Sequence, residues 1–207
     1  MRYDLHIHSK YSNDSISTPD NILKIAKKKG LNGIAITDHN TIKGGLETKK
    51  IKTENLEIIV GAEIKTELGD IIGLFLNEEI KSRTFDEVLE EISTQGGITI
   101  LPHPYRHHRL PEYLARKVDA IEIFNARSSC KQNAQCSALI KTCHKPITAG
   151  SDAHMLFEIG RGLTISEDCI ENALKKGMTS VIGTESNHYF GHSLSFILEK
   201  IKGKNHE

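Results

Sequence analysis

Side chains of metal-binding type stand at the ends of successive apolar runs in this chain, and that placement constrains its fold more than any other feature. His6 and His8 close the run Tyr3-Asp4-Leu5-His6-Ile7-His8, and Asp14 follows a few residues later. Asp38 and His39 come directly after Gly33-Ile34-Ala35-Ile36-Thr37, and Glu63 directly after Ile58-Ile59-Val60-Gly61-Ala62. His103 follows Ile98-Thr99-Ile100-Leu101-Pro102, and Asp152 and His154 end the run that starts at Pro146. Short runs rich in isoleucine are strand-like. Ligand-type residues at the C-terminal ends of successive strands describe the mouth of a β/α barrel, where barrel enzymes carry their chemistry.

Helical patterns alternate with these runs, which argues for βα units and a parallel sheet. Thr18-Pro19-Asp20 predicts a helix start, Ile22, Leu23 and Ala26 its apolar face, and Gly30 its end. Thr84 and Glu87 fit a capping box ahead of Phe85, Val88, Leu89 and Ile92. Further helices are expected over residues 133–144, 167–176 and 193–202, and further strands over 70–76 and 119–124. The loops expected at the barrel rim are 9–17, 40–45, 104–111 and 126–131. One domain over residues 1–207 is the simplest account, with motifs over about 1–165 and C-terminal helices completing it.

Lysines plus arginines and aspartates plus glutamates both number 27, so the net charge is zero. No global field draws such a chain to nucleic acid or membrane, and stable binding of duplex nucleic acid is not expected. No signal peptide and no membrane-length apolar segment is visible, so a cytoplasmic location is expected. Cys130, Cys136, Cys143 and Cys169 form no C-x-x-C pair and read as packing residues in a reducing compartment. No pattern sets an oligomeric state.

His6 and His8 are two apart, so an extended backbone points both imidazoles to one face. Joined to an Asp-His pair, an acid and an Asp-x-His at later strand ends, they form a constellation that suits divalent metals. Asp4-Leu5-His6-Ile7-His8-Ser9, Ile36-Thr37-Asp38-His39, Gly61-Ala62-Glu63, Pro102-His103-Pro104 and Gly150-Ser151-Asp152-Ala153-His154 resemble the motifs of the polymerase and histidinol phosphatase (PHP) family. The resemblance implies a distorted (β/α)7 barrel with two or three divalent ions, Zn, Mn or Fe, at its mouth. It implies that His6, His8, Glu63 and Asp152 hold one ion. Glu63 would bridge to a second ion that also takes His103, and Asp14, His39 and His154 would hold a third. The family often adds a histidine on the strand after the bridging glutamate, where this chain has Gly69-Asp70-Ile71-Ile72-Gly73-Leu74. The second position is therefore short of a ligand. Glu122 is expected in the pocket, as a ligand or beside one, and Asp38 either orients a ligand or caps a helix.

The chemistry implied is hydrolysis of a small phosphomonoester, nucleotide or oligonucleotide end by a metal-bound hydroxide, with Glu63, Asp152 and His154 at the reacting centre. Arg106, Arg109, Arg127 and Asn125 are the expected substrate-binding residues, since arginine grips phosphate through paired hydrogen bonds. His107, His108 and Lys131 lie in the same rim loops, and Arg161 either faces the pocket or pairs with Glu158. A non-catalytic metal-binding or regulatory module and an amidohydrolase-like enzyme are the alternatives.

Overall fold

The computed structural model describes residues 1–186, Ser195 and residues 198–202. Nine strands run in chain order: β1 Arg2–Ile7, β2 Gly33–Ile36, β3 Glu57–Thr66, β4 Gly69–Leu74, β5 Ile98–Leu101, β6 Ala120–Asn125, β7 Ile147–Gly150, β8 Gly162–Ile165 and β9 Ser180–Gly183. They form one sheet in the order β7-β6-β5-β4-β3-β2-β1-β8-β9. The helices between these strands are α1 Pro19–Lys28, α2 Lys43–Lys50, α3 Phe85–Thr94, α4 Pro111–Lys117, α5 Cys130–Cys143 and α6 Ile170–Lys176.

The α/β barrel class is as expected, and the distortion has a local cause. β1, β2 and β3 are parallel and joined through α1 and α2, as are β5, β6 and β7 through α4 and α5. Between these units the chain turns back at Glu67-Leu68, and β4 pairs antiparallel with both β3 and β5. β8 and β9 are antiparallel additions beside β1, so the sheet counts nine strands where seven were expected.

The two ends of the sheet meet at a seam built from glycines and one threonine. A Cβ placed on Gly162 would lie 2.1 Å from the Gly150 carbonyl oxygen, so β7 and β8 approach closely only because Gly162 lacks a side chain; a Cβ on Gly150 would instead press on His6 and Glu122. Thr164 Oγ1 receives the Ala149 N–H at 2.9 Å and donates to the Ala149 carbonyl at 3.0 Å, a side-chain substitute for ladder bonds. Buried Asp4 completes the seam, taking the N–H groups of Ser151 at 2.9 Å and Gly160 at 2.7 Å. Burial pushes its carboxyl up to about 6, against the pull of those donors.

α1 starts at Thr18 with Pro19 at its first position, and Ile22, Leu23 and Ala26 pack with Ile7, Ile34 and Ile36. α3 begins where expected, but Thr84 makes no side-chain cap bond; Glu67 Oε2 instead receives the Phe85 N–H at 2.9 Å. The capping box is at Ser129 and Gln132, at the head of α5. α6 ends at Gly177 in the left-handed region, as its sequence indicates. α2 and α4 start inside or beside segments expected as loops. In α2 the pair Gly44-Gly45 reads as a helix breaker, yet a Cβ on Gly44 would lie 1.8 Å from Asp38 Oδ2. The glycines there buy proximity, not flexibility. Of the helix expected over 193–202, Ser195 and residues 198–202 are helical, and the remainder lies outside the described residues, as do His188, His192 and His206.

Gly162→Ala is expected to destabilise the fold by about 1–3 kcal/mol, the range for overpacking a site that cannot yield. Urea unfolding checks it, and a midpoint equal to wild type would mean that the seam is not close-packed.

Candidate metal centre

All eight ligand-type residues picked out at the run ends and the first loop converge at one end of the barrel. They fall into three groups whose offered atoms lie within 4.8 Å of one another: His6, His8 and Asp152; His6, Glu63 and His103; and His8, Asp14, His39 and His154. Nε2 of His6 and Nε2 of His8 face each other at 3.1 Å. Glu63 lies among them with its two oxygens divided. Oε2 is 3.3 Å from nitrogens of His6, His8 and His39, while Oε1 is 2.9 Å from His103 Nε2. Asp152 Oδ1 lies 3.6 Å from His6 and 3.4 Å from His8, and Asp14 Oδ2 lies 3.3 Å from His39 and 2.7 Å from His154.

The strand ends are bent to make this convergence. His103 has φ 30°, Asp152 φ 53° and Asn40 φ 57°, conformations that non-glycine residues adopt rarely and at a cost. Main-chain bonds fix the bends: Glu63 N–H donates to the Asp38 carbonyl at 3.1 Å, Asn40 N–H to the Glu63 carbonyl at 2.8 Å, and His8 N–H to the Ala153 carbonyl at 2.9 Å.

Behind the donors stands a layer of orienting groups. Glu122 is buried with Oε1 3.1 Å from His6 Nδ1, and its Oε2 accepts from His103 N and Asn125 Nδ2, both at 2.9 Å. A proton on Nδ1 is thereby held by a carboxylate, which leaves Nε2 as the nitrogen that faces the centre and would ligate once deprotonated. Glu122 thus stands beside a ligand-type residue, not among the converging atoms. Ser12 was not singled out by its sequence context; its Oγ lies 3.2 Å from His8 Nδ1 and accepts the His39 N–H at 2.8 Å. Asp38 neither caps a helix nor touches an imidazole: it holds the N–H and hydroxyl of Ser9 at 2.6 and 2.7 Å. Glu158 Oε2 takes the N–H groups of His154 and Met155, both at 3.0 Å.

The basic residues part company. Arg106 reaches the centre, donating to Asp152 Oδ2 and, at 3.3 Å, to Asn125 Oδ1. Asn125 Nδ2 lies 3.3 Å from the same Asp152 oxygen. Arg127 is buried, with Nη2 donating to Ser195 at 2.9 Å and Nε 3.6 Å from Glu158. Arg109, His107 and Lys131 are exposed. Arg161 turns to the Glu185 carbonyl at 3.0 Å. His108 packs on Gly69, 5.5 Å ring to ring from His103.

Burial alone would raise the acids, but the imidazoles and Arg106 outweigh it: Glu63 and Asp152 are held well below the ordinary carboxylate range, and Asp14 is lowered by His154 and His39. Burial opposes charge on the histidines, yet the carboxylates lift His6 well above its ordinary value and His8 to about 10. His39 rises also, whereas burial and the nearby charge of His8 push His154 down to about 4. The cluster is a set of ionised acids whose compensating positive charge is carried by protons and one guanidinium. Asp14 Oδ1 and His103 Nδ1 are buried without a hydrogen-bond partner. Buried polar atoms left so are uncommon, and mixed imidazole and carboxylate donors fit divalent first-row metals.

The family profile of the PHP domain matches residues 4–155. The chain belongs to the PHP family. A Methanocaldococcus jannaschii protein of uncharacterised function is 46% identical over 160 residues, covering 68% of this chain and 92% of that one. A probable phosphatase of Shewanella loihica is 28% identical, covering 76% and 79%. Among solved structures, a two-domain Bacteroides vulgatus protein containing a PHP-like metal-dependent phosphoesterase superposes with TM-score 0.69 at 18% identity, covering 89% of this chain; this chain spans 65% of that one. Endonuclease Q, solved with a 27-mer duplex bearing an abasic lesion, superposes with TM-score 0.65 at 19% identity, covering 87% of this chain and 57% of that one. The PHP family is one of metal-dependent phosphoesterases. No helix among the described residues is long and apolar enough to cross a membrane.

An imidazolium cannot ligate, so an ion entering this PHP centre must expel protons. His6, His8 and His39 are all raised, which fixes the sign: affinity for a divalent ion is expected to climb from neutral pH towards about 10, where His8 gives up its proton unaided. Calorimetric titration in buffers of different ionisation enthalpy should show net proton release per ion at pH 7. An affinity independent of pH would contradict the charge state described here.

Proposed function

We propose that this PHP domain hydrolyses a phosphate ester with a small or single-stranded leaving group, namely a phosphomonoester, a nucleotide or an oligonucleotide end. The observation that carries the reading is Arg106 held against Asp152 beside Glu63, whose divided oxygens face two histidine groups. His6, His8, Glu63 and Asp152 would hold one divalent ion, Glu63 and His103 a second, and Asp14, His39 and His154 a third. Two or three such ions, Zn, Mn or Fe, supply a nucleophilic water near neutral pH and offset phosphoryl charge when bound.

The chain's own groups do the rest. Arg106 and Asn125 together present guanidinium and amide donors beside the cluster, where a phosphoryl group would take over the contacts now made to Asp152. Asp152, kept ionised, holds the guanidinium in place until then. Glu122 keeps His6 in the tautomer that points Nε2 inward. Arg127 is committed to Glu158 and Ser195, and Arg109 is exposed beyond the cluster, so the proposal leaves both out of phosphate binding. At the rim, the Tyr11 ring has the Lys10 and Lys43 ammonium groups 5.4 and 5.3 Å from its centroid, an aromatic and cationic edge that favours a nucleotide over a bare sugar phosphate. Zero net charge favours a strand end over a long duplex.

Phosphate release by manganese-loaded protein from small phosphomonoesters and 5′- and 3′-phosphorylated nucleotides tests the reading, with Asp152→Asn as the contamination control. Turnover is expected in the wild type and absent in the variant, and Arg106→Ala should lower kcat/KM by about 10²-fold. Absence of turnover on monoesters and oligonucleotides alike, with metal bound, would favour the non-catalytic module.

The bridging assignment has its own test in metal content. Glu63→Gln should empty two positions together, whereas His39→Ala should chiefly empty one. Equal metal content in wild type and both variants would rule out the bridge.

A further inference from the structure

We propose that Lys202 is a positioning residue that holds the loop carrying Asp14 in the geometry required by the third donor group. Its Nζ donates to the main-chain oxygens of Lys10 at 3.1 Å, Ser12 at 2.9 Å and Ser15 at 2.5 Å. An ammonium has three N–H donors, so three carbonyls saturate it. Residues 9–17 form neither helix nor strand, and three of their carbonyls find their donor in this one ammonium group. Asp14 sits between two of the three anchor points.

The hold passes from the loop to the ligand-type residues by short steps. Ser15, gripped at its carbonyl, shares its single hydroxyl hydrogen between the main-chain oxygens of His8 at 3.0 Å and His154 at 2.8 Å. Asp14 Oδ2 faces His154 and His39. The same C-terminal segment touches the opposite wall of this group: Ser195 Oγ accepts from Arg127, which lies beside Glu158, and Glu158 receives the His154 N–H. Two residues distant in sequence, Ser195 and Lys202, therefore brace the loops of Asp14 and His154, two of the segments that supply the third group. The tether itself stands on hydrogen bonds alone; only its consequence for metal binding rests on the function proposed above.

Lys202→Met, which keeps the stem and removes the donors, separates these parts, with Lys175→Ala as control because Lys175 pairs only at the surface with Glu171. In the metal-free protein, hydrogen exchange of the amides over residues 10–17 should quicken several-fold in Lys202→Met and stay at the wild-type rate in the control. Equal rates would overturn the tether. In manganese titrations, Lys202→Met should lose affinity for one ion by about tenfold, the scale of an orienting group behind a ligand, with the other ions unaffected. Equal weakening of every ion, or none, would overturn the assignment to the third group. A wild type that retains no ion would refute the metal reading, and the exchange rates would still decide the tether.

Discussion

A carboxylate buried at the centre of the barrel mouth sets the terms for everything around it. Glu63 is 2% exposed, and taking an unpaired ionised acid out of water costs several kcal/mol. The fold meets that cost with four histidines, from β1, from the turn after it, from the end of β2 and from the end of β5. Those histidines in turn need acceptors on their outer nitrogens, and Glu122 and Ser12 provide two of them. The layering is thus forced: a central acid, a ring of imidazoles, and an outer ring of polar groups that fix which imidazole nitrogen faces inward.

That arrangement requires the strand ends to be brought closer than a regular barrel would bring them. The glycine seam between β7 and β8 and the buried Asp4 pull the Asp152 and His154 loop towards β1. The left-handed residues His103 and Asp152 then turn their side chains back across the mouth. Strain placed at such positions survives only where surrounding bonds over-determine it. Here His103 N–H is held by Glu122 and the His154 loop by Glu158.

The ligand-type residues were legible in the sequence because strand ends announce themselves: an apolar run stops, and the polar residue after it must lie at the rim. α1, α3 and α6 were legible through apolar faces or stop signals, whereas α5, expected from residue 133, starts at Cys130 because Ser129 and Gln132 cap it inside a segment expected as loop. α2 was not, because Gly44-Gly45 signals a break unless one knows that Asp38 and Val60 press against the helix. Nor was the return of β4, for which Gly69 is a faint local mark of a two-residue turn. Arg127 looked like a rim residue from its loop position, and its burial against Glu158 depends on a contact thirty-one residues away. The same limit hides Ser12: a serine in a polar loop carries no sign that two histidines depend on it.

The second donor group is the one that differs in kind. It shares His6 with the group of His8 and Asp152, and Glu63 and His103 are its own contribution, though Glu63 Oε2 also faces His8 and His39. On β4, where the family often adds a histidine, Asp70 is half-buried, its carboxyl raised by burial and by the charge of Glu63. An acid raised by its neighbour's charge is one that a cation between them would lower again. Under the proposed reading, the position with fewest protein donors keeps the most room for water and substrate, as catalytic metal sites do when structural ones are closed. The ligand missing from the sequence is then compatible with turnover, and Arg106 and Asn125 meet Asp152 beside it to receive the phosphoryl group.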